Sequence, residues 1–370
     1  MHIHVVGAGV VGLTTAYYLC QKGHKVSIIE KESDVASGAS FANGGQLSYC
    51  FSDPLGKPSL LPKLFNIALN KDLGIHFNFP RSFSSLNWLR HFGSSCTRKK
   101  HAQNQLELAK LSLSSMSLLR EMKDHLNLKF DHHKCSKIAL FEREKDFKNE
   151  MKSLKLKQSL GNDNRAISIE KAISLEPAIK NLTQKYAGAI FSESDEVGDT
   201  LLFCKGLKDW LIENGTNFYF ETYVTGMQKK NSKVVGLNTN EGFIETETII
   251  VCGGSLTEKI VRSPLPITPA RGYSLTLPKG EVNFDMSLTL SDQKVLFTKL
   301  GQKIRITGFA DLFCKGTNDH ERIQELTNIA QQIAPNLADY NSARIDSWSG
   351  DRPLTPSSIP FMGPSNLEGV

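Results

Sequence analysis

Three glycines near the amino terminus constrain the fold of this chain more than any other feature. Gly7, Gly9 and Gly12 follow the apolar run Ile3–Val6, and Glu30 ends the next apolar run. A strand, glycine turn, helix, second strand and acid within about 30 residues form a dinucleotide-binding unit. The glycines allow a tight turn, close backbone approach to a pyrophosphate and close helix packing, while the helix N-terminus attracts phosphate. We therefore predict a Rossmann-like dinucleotide site in which the carboxylate binds a ribose; a glycine turn without a ligand is the alternative.

The charge balance argues against nucleic acid as a partner. The chain has 370 residues, with 44 basic and 38 acidic residues and a net charge of +6. These charges are scattered, and the basic cluster Arg98-Lys-Lys-His101 is interpreted as a solvated loop. The length is sufficient for one large domain or two interlocked domains, each with its own core.

The seven cysteines indicate neither a disulfide framework nor a zinc site. They are odd in number, far apart and without a CxxC pair, and no histidines cluster with carboxylates at metal-binding spacing. A reducing, cytoplasmic compartment fits this usage. The apolar stretch 5–20 is too short to span a membrane and no Lys or Arg precedes it, so it is interpreted as the first strand and helix. The cysteines are Cys20, Cys50, Cys96, Cys135, Cys204, Cys252 and Cys314.

The segment after Glu30 interrupts the dinucleotide unit. A loop rich in Pro, Gly, Phe and Ser continues to about Ser95, and loops of this length are uncommon unless they are functional. Two apolar stripes on the long helix that follows predict burial on two sides, and the run Thr248–Cys252 predicts a central buried strand. Helices are predicted near 10–22, 106–122, 146–160, 169–175, 199–214 and 321–333, and strands within 217–252 and at 273–277, 294–298 and 303–307.

Several segments, in this order, resemble the D-amino-acid oxidase (DAO) family of FAD enzymes, and within it the bacterial D-amino-acid dehydrogenases. The similarity runs from residue 1 to residue 370, and the shared order of the segments is more specific than any one of them. The segments are Ser40-Phe-Ala-Asn-Gly-Gly-Gln46, Asn87-Trp-Leu-Arg90 to Cys96-Thr97, Asp195-Glu-Val-Gly-Asp199, Gly272-Tyr-Ser-Leu-Thr276, Gly308-Phe-Ala-Asp311 and Trp348-Ser-Gly-Asp-Arg-Pro353.

The resemblance implies an α/β fold of two interlocked domains. An FAD-binding Rossmann-like domain is expected from the discontinuous segments 1–60, 193–262 and 345–370. An inserted α+β substrate domain, with an antiparallel sheet over the flavin, is expected from 61–192 and 263–344.

The resemblance also implies which residues contact FAD. Ser40 and Asn43 are expected near the pyrophosphate and flavin, with a simple loop cap as the alternative for each. Val224 is placed against adenine by analogy, and Gly253 and Gly254 match the second glycine turn of the family, with a plain turn as the alternative. The full predicted set is Val6, Gly7, Gly9, Val10, Val11, Gly12, Glu30, Lys31, Ser40, Asn43, Gly44, Val224, Cys252, Gly253 and Gly254.

Arg352 is the candidate for binding an amino-acid substrate. It aligns with the arginine of the family's G-x-R-P segment, which holds the substrate carboxylate, and a guanidinium can do so with two parallel hydrogen bonds. Tyr273 is expected to hydrogen-bond the same carboxylate or to cover the site. Arg271 and Arg305 are further candidates, and ordinary surface or strand positions are the alternatives for all of them.

The implied reaction is oxidative deamination of a D-amino acid. The cofactor accepts a hydride from the α-carbon at flavin N5, and hydrolysis then yields a 2-oxo acid and ammonia. This chemistry explains why no nucleophile or acid–base pair stands out in the sequence. The alternatives are oxidation of sarcosine, glycine, hydroxyproline or a 2-hydroxy acid, a non-catalytic flavoprotein or subunit, and an NAD-binding module, which the interrupted second half disfavours.

Two departures from the family pattern bear on activity. Asp351 stands where an apolar residue is usual, and close to Arg352 it would compete with a substrate carboxylate. The chain ends at Val370, whereas family members continue with a strand, a glycine turn and a helix beside the flavin. From this we expect weakened FAD retention and reduced turnover.

The stretch His76–Phe83, followed by Trp88, Arg90, His91 and Phe92, mixes aromatic and basic groups. Such a stretch is able to contact the inner face of a cell membrane, where a quinone would serve as electron acceptor. Packing over the substrate domain is the alternative that we favour.

Overall fold

The computed structural model describes residues 1–63, 74–78, 83–313 and 319–370, in a mixed α/β fold. The strands in these ranges are β1 (His2–Val6), β2 (Lys25–Ile29), β3 (Gln46–Leu47), β4 (His133–Lys134), β5 (Lys137–Phe141), β6 (Arg165–Ile167), β7 (Gly188–Ser192), β8 (Glu196–Val197), β9 (Asn217–Tyr219), β10 (Val224–Lys230), β11 (Lys233–Thr239), β12 (Gly242–Glu245), β13 (Ile249–Val251), β14 (Thr268–Pro278), β15 (Ser287–Leu290), β16 (Val295–Leu300), β17 (Lys303–Leu312) and β18 (Asp346–Leu354). The α-helices are α1 (Val10–Gln21), α2 (Phe83–Ser95), α3 (Arg98–Leu126), α4 (Glu144–Gln158), α5 (Ile169–Leu175), α6 (Thr200–Glu213), α7 (Thr257–Val261) and α8 (Asp319–Ile333).

A small parallel sheet carries the amino-terminal unit, with strand order β13-β1-β2-β9. Helix α1 connects β1 to β2 and packs against α6 through buried side chains such as Leu13 and Leu207. Gly23, at φ 77°, follows the end of α1, as predicted, because glycine adopts this left-handed conformation without strain. The predicted βαβ unit is present.

The predicted central position of Thr248–Cys252 is wrong, because β13 lies at one end of this sheet. Its continuous apolar character has another cause. A sheet of β10, β11 and β12 packs over the same strands, and Ile249 is buried in a cluster with Val6, Ile29 and Val234. The strand is therefore covered on its faces although it is not flanked on both edges.

A large mixed sheet, in the order β18-β14-β17-β16-β15-β5-β7-β6, forms the second layer. Most of its neighbours are antiparallel, whereas β15 and β5 are parallel. One face buries apolar side chains such as Leu275 and Ile306 against α5 and α8, which contribute Ala172 and Leu326. The opposite face is apolar over β5 and β7, where Phe141 and Ile190 pack against Leu154 of α4. Over β14, β16, β17 and β18 it carries polar side chains, and this part is called the polar face below.

The predicted domain boundary at residue 345 assigns β18 to the FAD-binding domain, whereas strand pairing joins β18 to the large sheet. β18 pairs with β14 along Thr268–Leu354 to Thr276–Asp346, so this strand belongs to the large sheet. The final residues do lie against the nucleotide side, since Val234 N donates to Glu368 O at 2.9 Å. The local sequence does not show which sheet β18 joins, because its pairing with the distant strand β14 determines this.

Three predictions for residues 31–126 are wrong: the extent of the long loop, the conformation of the basic cluster and the burial of the long helix. The loop predicted up to Ser95 contains α2, and the basic cluster at 98–101 begins α3, where the Thr97 side chain accepts from Lys100 N. Helix α3 is not buried on two sides: Leu118 is exposed, and most apolar side chains along its middle are half-buried. The helix packs mainly through its ends, with Met122 in the core beside α1.

The cysteines within the described ranges are free thiols, and Cys314 lies outside those ranges. A search of the same ranges finds no group of three or more His, Cys, Asp or Glu side chains suited to a metal ion. Among the described helices, none combines the length and apolar character needed to cross a bilayer.

Candidate cofactor and substrate site

Two of the three glycines in the turn leave no room for a side chain, whereas a Cβ at Gly9 would meet only Ser40 Oγ, at 3.5 Å. Gly7 has φ 108°, and a Cβ at this position would lie 2.5 Å from the carbonyl oxygen of Cys252. A Cβ at Gly12 would lie 1.9 Å from the carbonyl oxygen of Gly7. Both obstacles are backbone atoms, so the turn, the helix and the strand approach one another in a way that only glycine permits.

The start of α1 offers unoccupied donors for an anion. Val10 N donates to Ser40 Oγ at 3.1 Å, which places Ser40 at the helix terminus. The N–H groups of Val11 and Gly12 have no acceptor among the described residues, and Val11 is 62% exposed. Free N–H groups at the positive end of a helix fit a pyrophosphate. The Ser40 hydroxyl therefore lies at this terminus, and its contact with a cofactor stays a prediction.

Glu30 is directed at the glycine turn. Its Oε2 accepts from Ala8 N at 2.7 Å, and its Oε1 accepts from Glu32 N at 3.0 Å. Each carboxylate oxygen can accept a further bond, so the group remains available to a ribose diol. Lys31, by contrast, forms an exposed ion pair with Glu32.

The second glycine turn lies beside the first. Cys252 N donates to Val6 O at 2.8 Å, which continues the pairing of β13 with β1. Gly253 follows, and Gly254, at φ 57°, begins a short 3-10 helix. Val224 is half-buried at the start of β10 and packs against the cluster that contains Val6. The structure thus brings these predicted residues to the same edge of the small sheet as the glycine turn.

The loop after Ser40 lies on the polar face of the large sheet. Asn43 Oδ1 accepts from Gly45 N and from Thr200 Oγ1, both at 3.0 Å, and Arg305 Nη1 donates to the carbonyl oxygen of Asn43 at 2.9 Å. A Cβ at Gly44 would lie 3.2 Å from Thr307 Oγ1. Asn43 and Gly44 therefore join the nucleotide unit to the large sheet.

Buried polar atoms on both sides of this junction lack partners. The hydroxyls of Ser274 and Thr298 and both amide atoms of Gln46 find no hydrogen bond within the described part of the chain. Strand register places Ser274 and Thr298 on the polar face, with Thr307 and Arg305. Buried polar groups normally have partners, so these orphans fit the polar edge of a bound flavin or substrate. Sequence reasoning missed them because serine and threonine in strands carry no distinctive signal.

Arg352 is the cation that this face leaves available. It has no hydrogen-bond or ion-pair partner among the described residues, and its side chain is exposed. Surrounding protein atoms nevertheless desolvate the guanidinium and lower its pKa. Both observations fit a cation in an open depression, where a carboxylate would relieve the unfavourable desolvation.

The guanidinium groups of Arg271 and Arg305 already have hydrogen-bond partners within the protein. Arg271 binds Asp319 and donates to Asp351 Oδ1 at 3.0 Å, with its pKa raised chiefly by the Asp319 hydrogen bond. Arg305 is buried and donates to Thr276 Oγ1 at 2.6 Å as well as to the Asn43 carbonyl. The expected competition of Asp351 with a substrate at Arg352 is not seen, because adjacent strand residues point to opposite faces.

The structure does not bring Tyr273 together with Arg352. Tyr273 is buried on the core face, where its hydroxyl donates to Asp311 Oδ2 at 2.9 Å. The Arg322 guanidinium binds the same carboxylate and lies over the Tyr273 ring. A direct substrate contact by Tyr273 would require its hydroxyl to leave this network, and its catalytic role stays a prediction.

The aromatic stretch before α3 is used largely for packing. Trp88 and Phe92 are buried in a cluster with Leu55 and Leu354, with their rings stacked at 4.8 Å. Residues 79–82 of the predicted membrane-contact stretch lie outside the described ranges. The exposed side chains on α2 include Arg90 and His91.

Known proteins resemble this chain over almost its whole length. The model of the DAO family, described as FAD dependent oxidoreductase, matches residues 2–370. A D-amino acid dehydrogenase of Vibrio atlanticus (strain LGP32) is 26% identical over 378 residues, covering 100% of this chain and 90% of the relative.

Two solved structures share the fold. Glycine oxidase from Geobacillus kaustophilus has a TM-score of 0.73 at 18% identity and covers 99% of this chain and 89% of its own. L-proline dehydrogenase from P. horikoshii has a TM-score of 0.72 at 17% identity and covers 100% and 86%. With the glycine turn, the free helix N-terminus and the family match over residues 2–370, this chain belongs to the DAO family of FAD-dependent oxidoreductases.

Proposed function

We propose that this protein oxidises a D-amino acid to a 2-oxo acid and ammonia. The observation that carries the proposal is the guanidinium of Arg352 on the polar face, which has no partner among the described residues. The similarity to a D-amino acid dehydrogenase over the whole chain supports the choice of substrate class.

The chain's own residues bind and orient the reactants. The N–H groups of Val11 and Gly12 are free to bind the pyrophosphate of FAD, and Glu30 the ribose hydroxyls. Arg352 would hold the substrate carboxylate with two parallel bonds, which fixes the direction of the α-hydrogen. The chemistry that bound FAD would supply is a two-electron oxidation, in which the α-hydrogen would leave the substrate as a hydride. The resulting imine takes up water, releasing ammonia and leaving the 2-oxo acid.

An anaerobic flavin titration tests the proposal. We expect D-alanine to bleach the visible flavin bands of the purified holoprotein, while L-alanine does not. The Arg352→Met variant should need much higher D-alanine concentrations, whereas Arg344→Met, an exposed arginine before β18, should behave as wild type. Bound flavin that no amino acid bleaches would contradict the proposal and favour a non-catalytic flavoprotein.

Another oxidation within the family is the second candidate. The shared fold of glycine oxidase and L-proline dehydrogenase supports testing glycine, sarcosine, hydroxyproline and L-proline, with L-2-hydroxyglutarate as a 2-hydroxy acid. Bleaching by one of these, with no response to D-alanine, would replace the D-amino acid in the proposal.

We also propose a quinone electron acceptor, reached by peripheral contact with the inner face of the cell membrane. The support comes from three exposed side chains of α2, namely Leu86, which is 54% exposed, Arg90 and His91. Wild type should sediment with anionic liposomes, and Leu86→Gln/Arg90→Gln should do so less. Equal sedimentation of both forms with a control protein would contradict the contact.

A further inference from the structure

We propose that the substrate lies on a floor without a side chain, formed by Gly272, between Arg352 and an aromatic wall that covers Gly350. The wall consists of Trp348 and Phe41. This inference rests on the proposed function, because it assumes that Arg352 binds the substrate carboxylate. It adds the residues that limit the size of the substrate side chain.

Strand register places the floor and the clamp on the same face. Arg352 lies opposite Ala270, and Gly350 lies opposite Gly272, in a pairing of β14 with β18 that has no shift. Side chains two residues apart point to the same side of a strand. The next residues beside Arg352 on the polar face are therefore a methyl group and two glycines.

The floor is open at Gly272. A Cβ built there would meet its nearest heavy atom, the carbonyl oxygen of Phe309, only at 3.8 Å, which is ordinary van der Waals contact. Its backbone is outside the left-handed region, so an alanine would fit without strain. The protein fold therefore does not require glycine at this position, whereas a ligand lying flat on the strand would.

Trp348, one of the two side chains of the wall, covers Gly350. A Cβ at Gly350 would lie 2.0 Å from Cη2 of Trp348, so the indole lies over Gly350 on the polar face. The Trp348 ring faces that of Phe41 at 6.3 Å between centroids and 30° between planes. Phe41 is 41% exposed, which leaves aromatic surface free for an apolar group.

These positions limit the length of the substrate. Residues two apart in a strand are separated by about 6.7 Å, and the indole already covers Gly350. A carboxylate bound to Arg352 thus leaves room above Gly272 for an α-carbon and a short apolar side chain before Trp348 is reached. The site fits small amino acids of the alanine class better than aromatic ones.

Calorimetric titration of the holoprotein with propionate and 3-phenylpropionate tests the floor and the wall without relying on turnover. Gly272→Ala should bind propionate at least tenfold more weakly with an unchanged melting temperature. Trp348→Leu should raise the affinity for 3-phenylpropionate relative to propionate at least tenfold, since a misfit of even one methylene is worth about 10- to 200-fold. If Trp348→Leu fails to fold, Phe41→Leu tests the same wall.

The controls separate this inference from the proposed function. Gly93→Ala, in α2 with no described atom within 4 Å of the new Cβ, should leave both affinities unchanged. If propionate binds and Arg352→Met abolishes binding, but the floor and wall variants behave like Gly93→Ala, the inference is overturned and the proposed function stands. If wild type binds no propionate, or Arg352→Met binds it equally well, both are overturned.

Discussion

Replacing Arg352 by methionine should remove carboxylate binding without destabilising the fold. The guanidinium has no partner among the described residues, so the substitution breaks no contact with them and keeps much of the apolar stem. We expect the free energy of unfolding to change by no more than about 0.5 kcal/mol. Truncating one member of a hydrogen-bonded charge pair costs about 2–5 kcal/mol. At about 1.4 kcal/mol per factor of ten, propionate affinity should fall roughly 30- to 4,000-fold.

Arg271→Met is the matched control, for which we expect lower stability and an unchanged affinity for propionate. It removes the guanidinium that Asp319 and Asp351 bind, and Ser349 loses a donor at 2.8 Å. Charged hydrogen bonds contribute about 1.5–3 kcal/mol each, but partial exposure screens these, so we expect a loss of about 1–2 kcal/mol in stability. Its propionate affinity should stay within about twofold of wild type, because Arg271 points to the core side.

Calorimetry and urea unfolding of both holoproteins provide the comparison. A loss of less than tenfold in propionate affinity for Arg352→Met would refute the assignment of the carboxylate site. Equal losses of affinity in both variants would refute the reasoning from strand faces, since it predicts that only one of these guanidinium groups reaches the ligand.

Three further predictions concern the glycine turn and two buried bases. Gly12→Ala would place Cβ 1.9 Å from the carbonyl oxygen of Gly7, so FAD retention after gel filtration and melting temperature should both fall; Gly38→Ala, with no described atom within 4 Å, should change neither. Burial lowers the pKa of His4 from 6.5 to about 4, so the unfolded chain binds the proton more tightly and stability should fall by about 3 kcal/mol from pH 6.5 to 4. His4→Gln should flatten this slope in urea titrations, and an unchanged slope would exclude His4 as its source. Burial lowers the pKa of Lys137 from 10.5 to about 8, so stability should rise by up to about 1.4 kcal/mol per pH unit between pH 8 and 10.5; a similar rise in Lys137→Met would contradict this.

Local signals explain the elements that the sequence predicted well. The glycine turn can be predicted from residue spacing within one βαβ unit. A Cβ at Gly7 or Gly12 would collide with backbone atoms, which explains why both positions are glycine. Helix α5 has the predicted bounds because Ser168 caps its start and Pro177 follows its end. In both cases the determining contacts lie within a few residues or one short unit of the chain.

Long-range strand pairing explains the features that were not predicted from the sequence. Nothing in Thr248–Cys252 shows whether a buried strand is central or covered by a second sheet, as β13 is. The same applies to β18, whose residues pair with β14 residues 70 to 86 positions earlier in the chain. The role proposed for Tyr273 depends on which face of the large sheet it occupies, and only the pairing of β14 with β17 and β18 shows that face.

Strand register also determines whether the site contains a cation. A slip of one residue between β14 and β18 would turn Asp351 toward the loop after Ser40 and Arg352 toward α8, because side chains alternate between the faces. Such a slip would bury charge in the core and separate Asp351 from Arg271, which lies directly opposite it in the observed register. The core-side contacts therefore fix the register, and this register is what leaves Arg352 free to bind a carboxylate.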